Sequence, residues 1–318
     1  PGLVWRLPAW QGIGRRALLA ALVCGLTAPV ALLADLHQPG RFLNFYLHPN
    51  LGSWMAWGSF FIPLYLIGLL LYAWLCLRPQ LAALAERGGQ LSAVYRRLAY
   101  GGHDSPGAIR AAAAVAALGA LLILLYTGME VMVVEARPLW HTPLLPLLFA
   151  VSAVSGGLGM VGLFEALIGR GAAAPLLNRW QERSQWLTLG LLAAWLLLAV
   201  SGLAASPADA LAAMRGSLGW LLSAAWLLGT TAMTLWLAHN RRDSLLWPAL
   251  LALHGAWLVR WMVFMGGQNI PKMGASTHIY ALSLSPDSVL GIVGMAGLCL
   301  TVYIILTSII PWGDRAEA

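Results

Sequence analysis

Eight apolar stretches, each long enough to cross a bilayer, leave this chain few folds to choose from. They lie at residues 17–36, 54–76, 110–134, 143–168, 186–206, 216–238, 245–267 and 289–310. A helix rises about 1.5 Å per residue, so each stretch spans a hydrocarbon layer about 30 Å thick while pairing its backbone N–H and C=O groups internally. Composition agrees: of 318 residues 60% are apolar and 10% charged, against roughly 25% charged in soluble domains. The expected fold is an all-α integral membrane protein, a bundle of eight transmembrane helices forming one domain over residues 1–318.

The net charge of +7 does not signal nucleic acid, because no basic run is long and the arginines gather between apolar stretches. If the eight helices alternate in direction, fourteen of the nineteen Lys and Arg residues fall on one side. That side holds the N-terminus, the loops near 77–109, 169–185 and 239–244, and the C-terminus. The other side carries Arg41, Arg137, Arg215 and Lys272, and Arg260 lies within a helix. The positive-inside rule then places both termini in the cytoplasm. The loops 37–53, 135–142 and 268–288 face outward and are polar, aromatic and rich in proline. Cys24, Cys76 and Cys299 sit inside apolar stretches, so no disulfide framework, cysteine-bound cluster or zinc site is visible. The chain opens on Pro1, with Arg6, Arg15 and Arg16 ahead of the first apolar stretch, as a processed or truncated N-terminus would.

A charge inside a bilayer is costly, which makes each ionisable residue there a functional candidate. Asp35, Glu130, Glu165, His254 and Arg260 qualify, with Tyr126 as a polar aromatic. On a wheel of 100° per residue, Tyr126, Glu130 and Arg137 fall within about 40° of one another, and Glu135 points away. Such a face suits a quinone pocket: a phenol donates to a quinone oxygen, a carboxylate takes the quinol proton, and apolar walls hold the ring. A second reading stays open, in which Glu130 and Arg137 form an interfacial ion pair and Arg260 is a buried arginine satisfied by carbonyls or one carboxylate. Glu165 and His254 likewise read either as a proton path from the cytoplasm or as a snorkelling carboxylate and a packed neutral imidazole.

His254 is the one histidine well inside a helix, which argues against transmembrane haem. His37, His48, His141 and His278 lie on outer loops at spacings that match no zinc or copper motif. Gly266, Gly267 and Pro271 suggest that the helix bearing Arg260 ends in a turn that presents Gln268 and Lys272.

The run Leu33 to Gly58, LADLHQPGRFLNFYLHPNLGSWMAWG, resembles the signature of the NrfD/polysulfide-reductase membrane-subunit family: Asp-Leu, a Pro, an Arg, then Ser-x-Met-x-Trp-Gly. The segments LLYTGMEVMVVEARPLW, from Leu124, and VRWMVFMGGQNIPK, from Val259, look most like the tetrathionate-reductase branch of that family. The resemblance covers most of the chain, in order. It implies a quinol-oxidising anchor without haem or metal, using menaquinone or ubiquinone. It implies partners too: a ferredoxin-like subunit with 4Fe-4S clusters and a molybdopterin catalytic subunit. The tyrosine of the family's Tyr-Thr-Gly motif contacts the quinone, and Tyr126 matches it. A His and Asn on the first helix of the polysulfide-type relatives have no counterpart here, and tetrathionate-type members carry a further N-terminal helix that the eight stretches do not include.

The leading expectation is a subunit of the bacterial inner membrane that oxidises quinol near the periplasmic face. Tyr126, Arg41, Arg137, Arg260 and Gln268 would bind the quinone, with Glu130 and Asp35 as proton acceptors. Glu165 and His254 would carry protons, and His37, His48 and Lys272 would dock the partner. The rival expectations are a secondary transporter, whose broken helices and sparse charges look similar, and a purely structural anchor.

Overall fold

A computed structural model describes residues 2–36, 38–101, 105–169, 171, 173–270, 282–286 and 288–312. The described residues form helices and connecting turns, with no strand among them. Twelve α-helices follow in order: α1 (Gln11–Asp35), α2 (Asn44–Leu47), α3 (Trp54–Glu86), α4 (Ser92–Leu98), α5 (Pro106–Met132), α6 (Leu144–Ile168), α7 (Ala174–Ser201), α8 (Ala205–Met214), α9 (Leu218–Asn240), α10 (Leu246–Trp261), α11 (Gly267–Asn269) and α12 (Val289–Ile309). A π-turn, Met262–Gly266, joins α10 to α11 without a break. Eight of these helical stretches are long and apolar enough to cross a membrane, the seventh being Leu246–Asn269.

The helices overrun the apolar stretches where their ends are amphipathic. Helix α3 runs ten residues past residue 76 and buries Leu77, Arg78, Leu81 and Ala85 there. Helix α7 starts at Ala174, twelve residues before the stretch expected from 186. Its first turns look like a loop by hydropathy because they carry Asn178, Arg179, Gln181, Glu182 and Arg183. Yet Ala174, Leu177, Asn178, Gln181, Ser184, Gln185 and Thr188 are buried along one helical face.

The chain divides into two compact units. Unit 1 comprises residues 1–52, 56–123 and 284–318; unit 2 comprises 53–55 and 124–283. In unit 1, backbones meet at glycines. A Cβ on Gly68 would lie 2.5 Å from the Ala116 nitrogen, and one on Gly119 would lie 2.6 Å from the Tyr65 Cα, so α3 and α5 touch main chain to main chain. With no hydrophobic drive between helices in lipid, this close approach is what gains dispersion energy. Helix α12 packs beside α1 and buries none of its own residues.

Unit 2 is built around α6, which packs against α7 and α10, while α9 packs against both α7 and α10. Along α6, Gly162 faces Ala249, Gly159 faces Ala252 and Gly156 faces Ala256, so α6 and α10 run antiparallel in a fixed register. On its α7 side, α6 is held by polar side chains. Gln181 Nε2 and Gln185 Nε2 donate to Ser155 Oγ at 2.7 and 2.9 Å; the Asn178 amide instead ties α7 to the α9–α10 connection, donating to the carbonyls of Arg242 and Ser244, both at 2.8 Å. Gly202, at φ +69°, ends α7 in the left-handed conformation that glycine adopts without strain.

Candidate functional site

Tyr126, Glu130, Arg137, Arg260, Gln268, Glu165 and His254 all fall in unit 2. Asp35, Arg41 and His48 fall in unit 1, and each is exposed. His37 and Lys272 lie outside the described residues.

Tyr126 and Glu130 stand one turn apart near the end of α5, on the same helical face. Four residues is the spacing at which helical side chains meet. Both are half-buried. On the opposite face of α5, Gly128 lets α6 approach, since a Cβ there would collide with the Pro146 Cα. On that α6-facing side, Val131, Leu145, Phe149 and Val263 form a buried apolar cluster, with Trp140 and Phe264 packed against it. The Phe264 ring lies 5.8 Å from Phe149 and 6.2 Å from Trp140, centroid to centroid.

The wheel that groups Arg137 with Tyr126 and Glu130 does not hold, because α5 ends at Met132. Residues 133–142 fold back instead, and His141 Nδ1 bonds the Met132 carbonyl at 2.9 Å, satisfying one of the acceptors that a helix end leaves open. This turn delivers Arg137 to the far end of another helix. Its Nη1 donates to the carbonyls of Gln268 at 3.1 Å, Ile270 at 3.0 Å and, at 3.4 Å, Gly267. Trp140 Nε1 donates to the Val263 carbonyl, inside the π-turn, at 2.6 Å.

Gly266 and Gly267 do not make a turn, contrary to the expectation from sequence. Both are right-handed helical, with φ of −62° and −63°. Their missing side chains leave room for two indoles. A Cβ on Gly266 would collide with the Trp220 ring, and one on Gly267 with Trp140 Nε1. The helix therefore continues to Asn269, wrapped by Trp140, Trp220 and Arg137.

Arg260 lies two residues before the π-turn. Its guanidinium donates to Ser152 Oγ at 2.9 Å, the Ala256 carbonyl at 3.2 Å and the Phe149 carbonyl at 3.2 Å, and it stacks over the Phe149 ring at 5.2 Å. A cation held this way fixes α10 to α6. Gln268 is exposed, whereas the next residue, Asn269, keeps its amide oxygen buried with no hydrogen-bond partner. An orphaned buried acceptor is uncommon and marks a place where a donor fits. Sequence alone carries no sign of it, since the segment reads as a loop beyond a glycine turn.

Glu165 is 3% exposed near the end of α6, with its carboxyl group packed so closely on Gly169 that a Cβ there would overlap it. His254 is stacked between Trp226 at 5.4 Å and Trp257 at 5.6 Å, and Trp257 stacks in turn on Trp261 at 5.2 Å. In the α6–α10 register Glu165 and His254 stand eight residues apart along the helix axes, roughly 12 Å. They do not form a direct donor–acceptor pair.

Residues 7–272 match the family described as polysulphide reductase, NrfD. The chain is 32% identical over 311 residues to a tetrathionate reductase subunit of Salmonella typhimurium, covering 96% of this chain and 84% of that one. It is also similar to a putative dimethyl sulfoxide reductase membrane subunit of Halobacterium salinarum, at 30% identity over 162 residues, 51% of this chain and 36% of that one. A family match spanning most of the chain, on a set of eight apolar helices, makes this protein a member of the NrfD family of polysulphide reductases.

Proposed function

We propose that this chain is the membrane subunit of a reductase complex, that it oxidises a quinol beside Tyr126 and Glu130, and that the electrons pass to an iron–sulfur partner and on to a molybdopterin subunit. The observation that carries this reading is the Tyr126–Glu130 pair, a phenol and a carboxylate one turn apart on one face of a membrane-spanning helix, both half-buried. The family supports it, since both relatives are named as subunits of reductases for oxidised sulfur compounds, and one of them as a membrane subunit. Tetrathionate is the acceptor best supported by the stronger of the two likenesses.

A quinol supplies two electrons and two protons. Tyr126 presents its phenol to a quinol oxygen, and Glu130, one turn away, takes the two protons one after the other, releasing the first to water before it takes the second, while both electrons pass to the iron–sulfur partner. Of the carboxylates the sequence offers, Glu130 is the one that shares a helical face with Tyr126 one turn away, and Asp35 is exposed in the other unit, so Glu130 is the first acceptor. Arg137 and Arg260 act by position: their guanidinium groups hold the π-turn and α10 against α6, so they fix the walls of the site. The arginine-rich loops support cytoplasmic termini, and with them a site near the periplasmic face of the inner membrane.

The test uses the intact complex and quinol-driven reduction of its acceptor. Tyr126→Phe and Glu130→Gln should each lower that rate while an artificial electron donor still drives the catalytic partner. Wild-type quinol rates in both variants would overturn the assignment.

A further inference from the structure

The connection between α3 and α5 in unit 1 contains a short helix, α4, that the hydropathy pattern does not reveal. Leu91, Val94, Tyr95 and Leu98 fall within an arc of about 100° on its wheel, and Arg96 and Arg97 flank that arc on either side. The apolar arc is uncovered: Leu91, Val94 and Leu98 are 43%, 48% and 46% exposed. Arg87, Arg96, Arg97 and Arg110 are exposed as well, and Glu86 is the carboxylate among the described residues 77–110.

Two hydrogen bonds set the depth of this helix. Trp54 and Trp74 are twenty residues apart on α3, about 30 Å, which is one hydrocarbon thickness. Trp74 Nε1 donates to the Leu98 carbonyl at 2.7 Å. The Tyr95 hydroxyl donates to the carbonyl of Ile309, the last residue of α12, at 2.8 Å. Helix α4 is thus tied to the level at which two membrane-spanning helices leave the hydrocarbon. The turns around it are fixed, since Gly88, Gly89 and Gly101 have φ of +76°, +114° and +85°. At Gly101 a Cβ would also lie 2.8 Å from Arg78 Nη1.

We propose that α4 is a binding surface for an anionic phospholipid, with acyl chain along Leu91, Val94 and Leu98 and headgroup phosphate against Arg96 and Arg97. An uncovered apolar arc at the hydrocarbon boundary, flanked by cations, is the pattern of an interfacial helix, and the excess of arginine selects a negative headgroup. The surface is independent of the quinol site and does not require the proposed function to be correct.

The experiment is native mass spectrometry of the full chain, delipidated in mild detergent and given phosphatidylglycerol or phosphatidylcholine. Phosphatidylglycerol should bind preferentially. Each interfacial arginine is worth about a fivefold change in affinity, so Arg96→Gln with Arg97→Gln should weaken phosphatidylglycerol binding by about 25-fold and leave phosphatidylcholine binding unchanged. Val94→Ser with Leu98→Ser should weaken both lipids. Arg179→Gln with Arg241→Gln, two exposed arginines of unit 2, should change neither. Undiminished phosphatidylglycerol binding in the Arg96/Arg97 variant would overturn the proposal, as would an equal loss in the unit 2 control. Full displacement of phosphatidylglycerol by millimolar inorganic phosphate would also overturn it, because the surface would then be a phosphate site.

Discussion

In unit 1, α3 and α5 meet through bare backbone at Gly68 and Gly119, and the side-chain hydrogen bonds to α4 and α12 gather at one end, at Trp74 and Tyr95. In unit 2, α6 meets α7 through amides and hydroxyls, and meets α10 through a glycine stripe closed by Arg260 on Ser152. Close backbone packing tolerates no added atom but sets no polar geometry. Amide and guanidinium bonds fix direction as well as distance. A site that must hold a phenol and a carboxylate toward a ring therefore belongs with the second kind of packing.

The contrast breaks most readily at the chemistry. Glu130→Gln should reduce quinol-driven turnover by about 100-fold or more, the usual worth of a positioned proton acceptor. Asp35→Asn, in unit 1, should change it by less than about twofold, within the scatter expected of an exposed surface substitution. Equal losses would mean that the site is not confined to unit 2. Packing comes next: Gly68→Ala should cost about 1–3 kcal/mol in thermal unfolding in detergent, because the added methyl meets main chain that has no rotamer to yield. Gln185→Leu should cost about 1–2 kcal/mol by the same assay, removing one of the two donors to Ser155. A loss for Gln185→Leu larger than that for Gly68→Ala would make the polar seam the stronger glue. The smallest effect is expected at Gly157→Ala, where a Cβ meets nothing within 4 Å: no loss, and a gain of up to about 1 kcal/mol from helix propensity.

Much of this was legible in advance, for identifiable reasons. Spanning helices announce themselves because lipid demands a continuous apolar run, and all eight are where the runs are. Tyr126 and Glu130 could be paired from spacing alone, since they lie within one helix. Arg137 could not, because a wheel carries no information about where the helix stops, and α5 stops at Met132. Nor could the buried face of α7, where Gln181 and Gln185 read as loop residues under hydropathy although their spacing of three and four is helical. Asn269 was hidden for a related reason: Gly266 and Gly267 look like a helix stop and are instead seats for two indoles.

The register between α6 and α10 has a further consequence. Gly162, Gly159, Gly156 and Ser152 meet Ala249, Ala252, Ala256 and Arg260 in turn, at steps of three and four on both helices. The two helices work as a pair of matched scales, and a reading at one end fixes the reading at the other. Deleting a single residue between 153 and 161 would rotate everything beyond it by about 100° and carry Ser152 away from Arg260 even though every surviving residue type is unchanged. Over this stretch the chain is thus less tolerant of a change in length than of a change in composition, and natural variation between 152 and 162 should appear as substitutions and almost never as gaps.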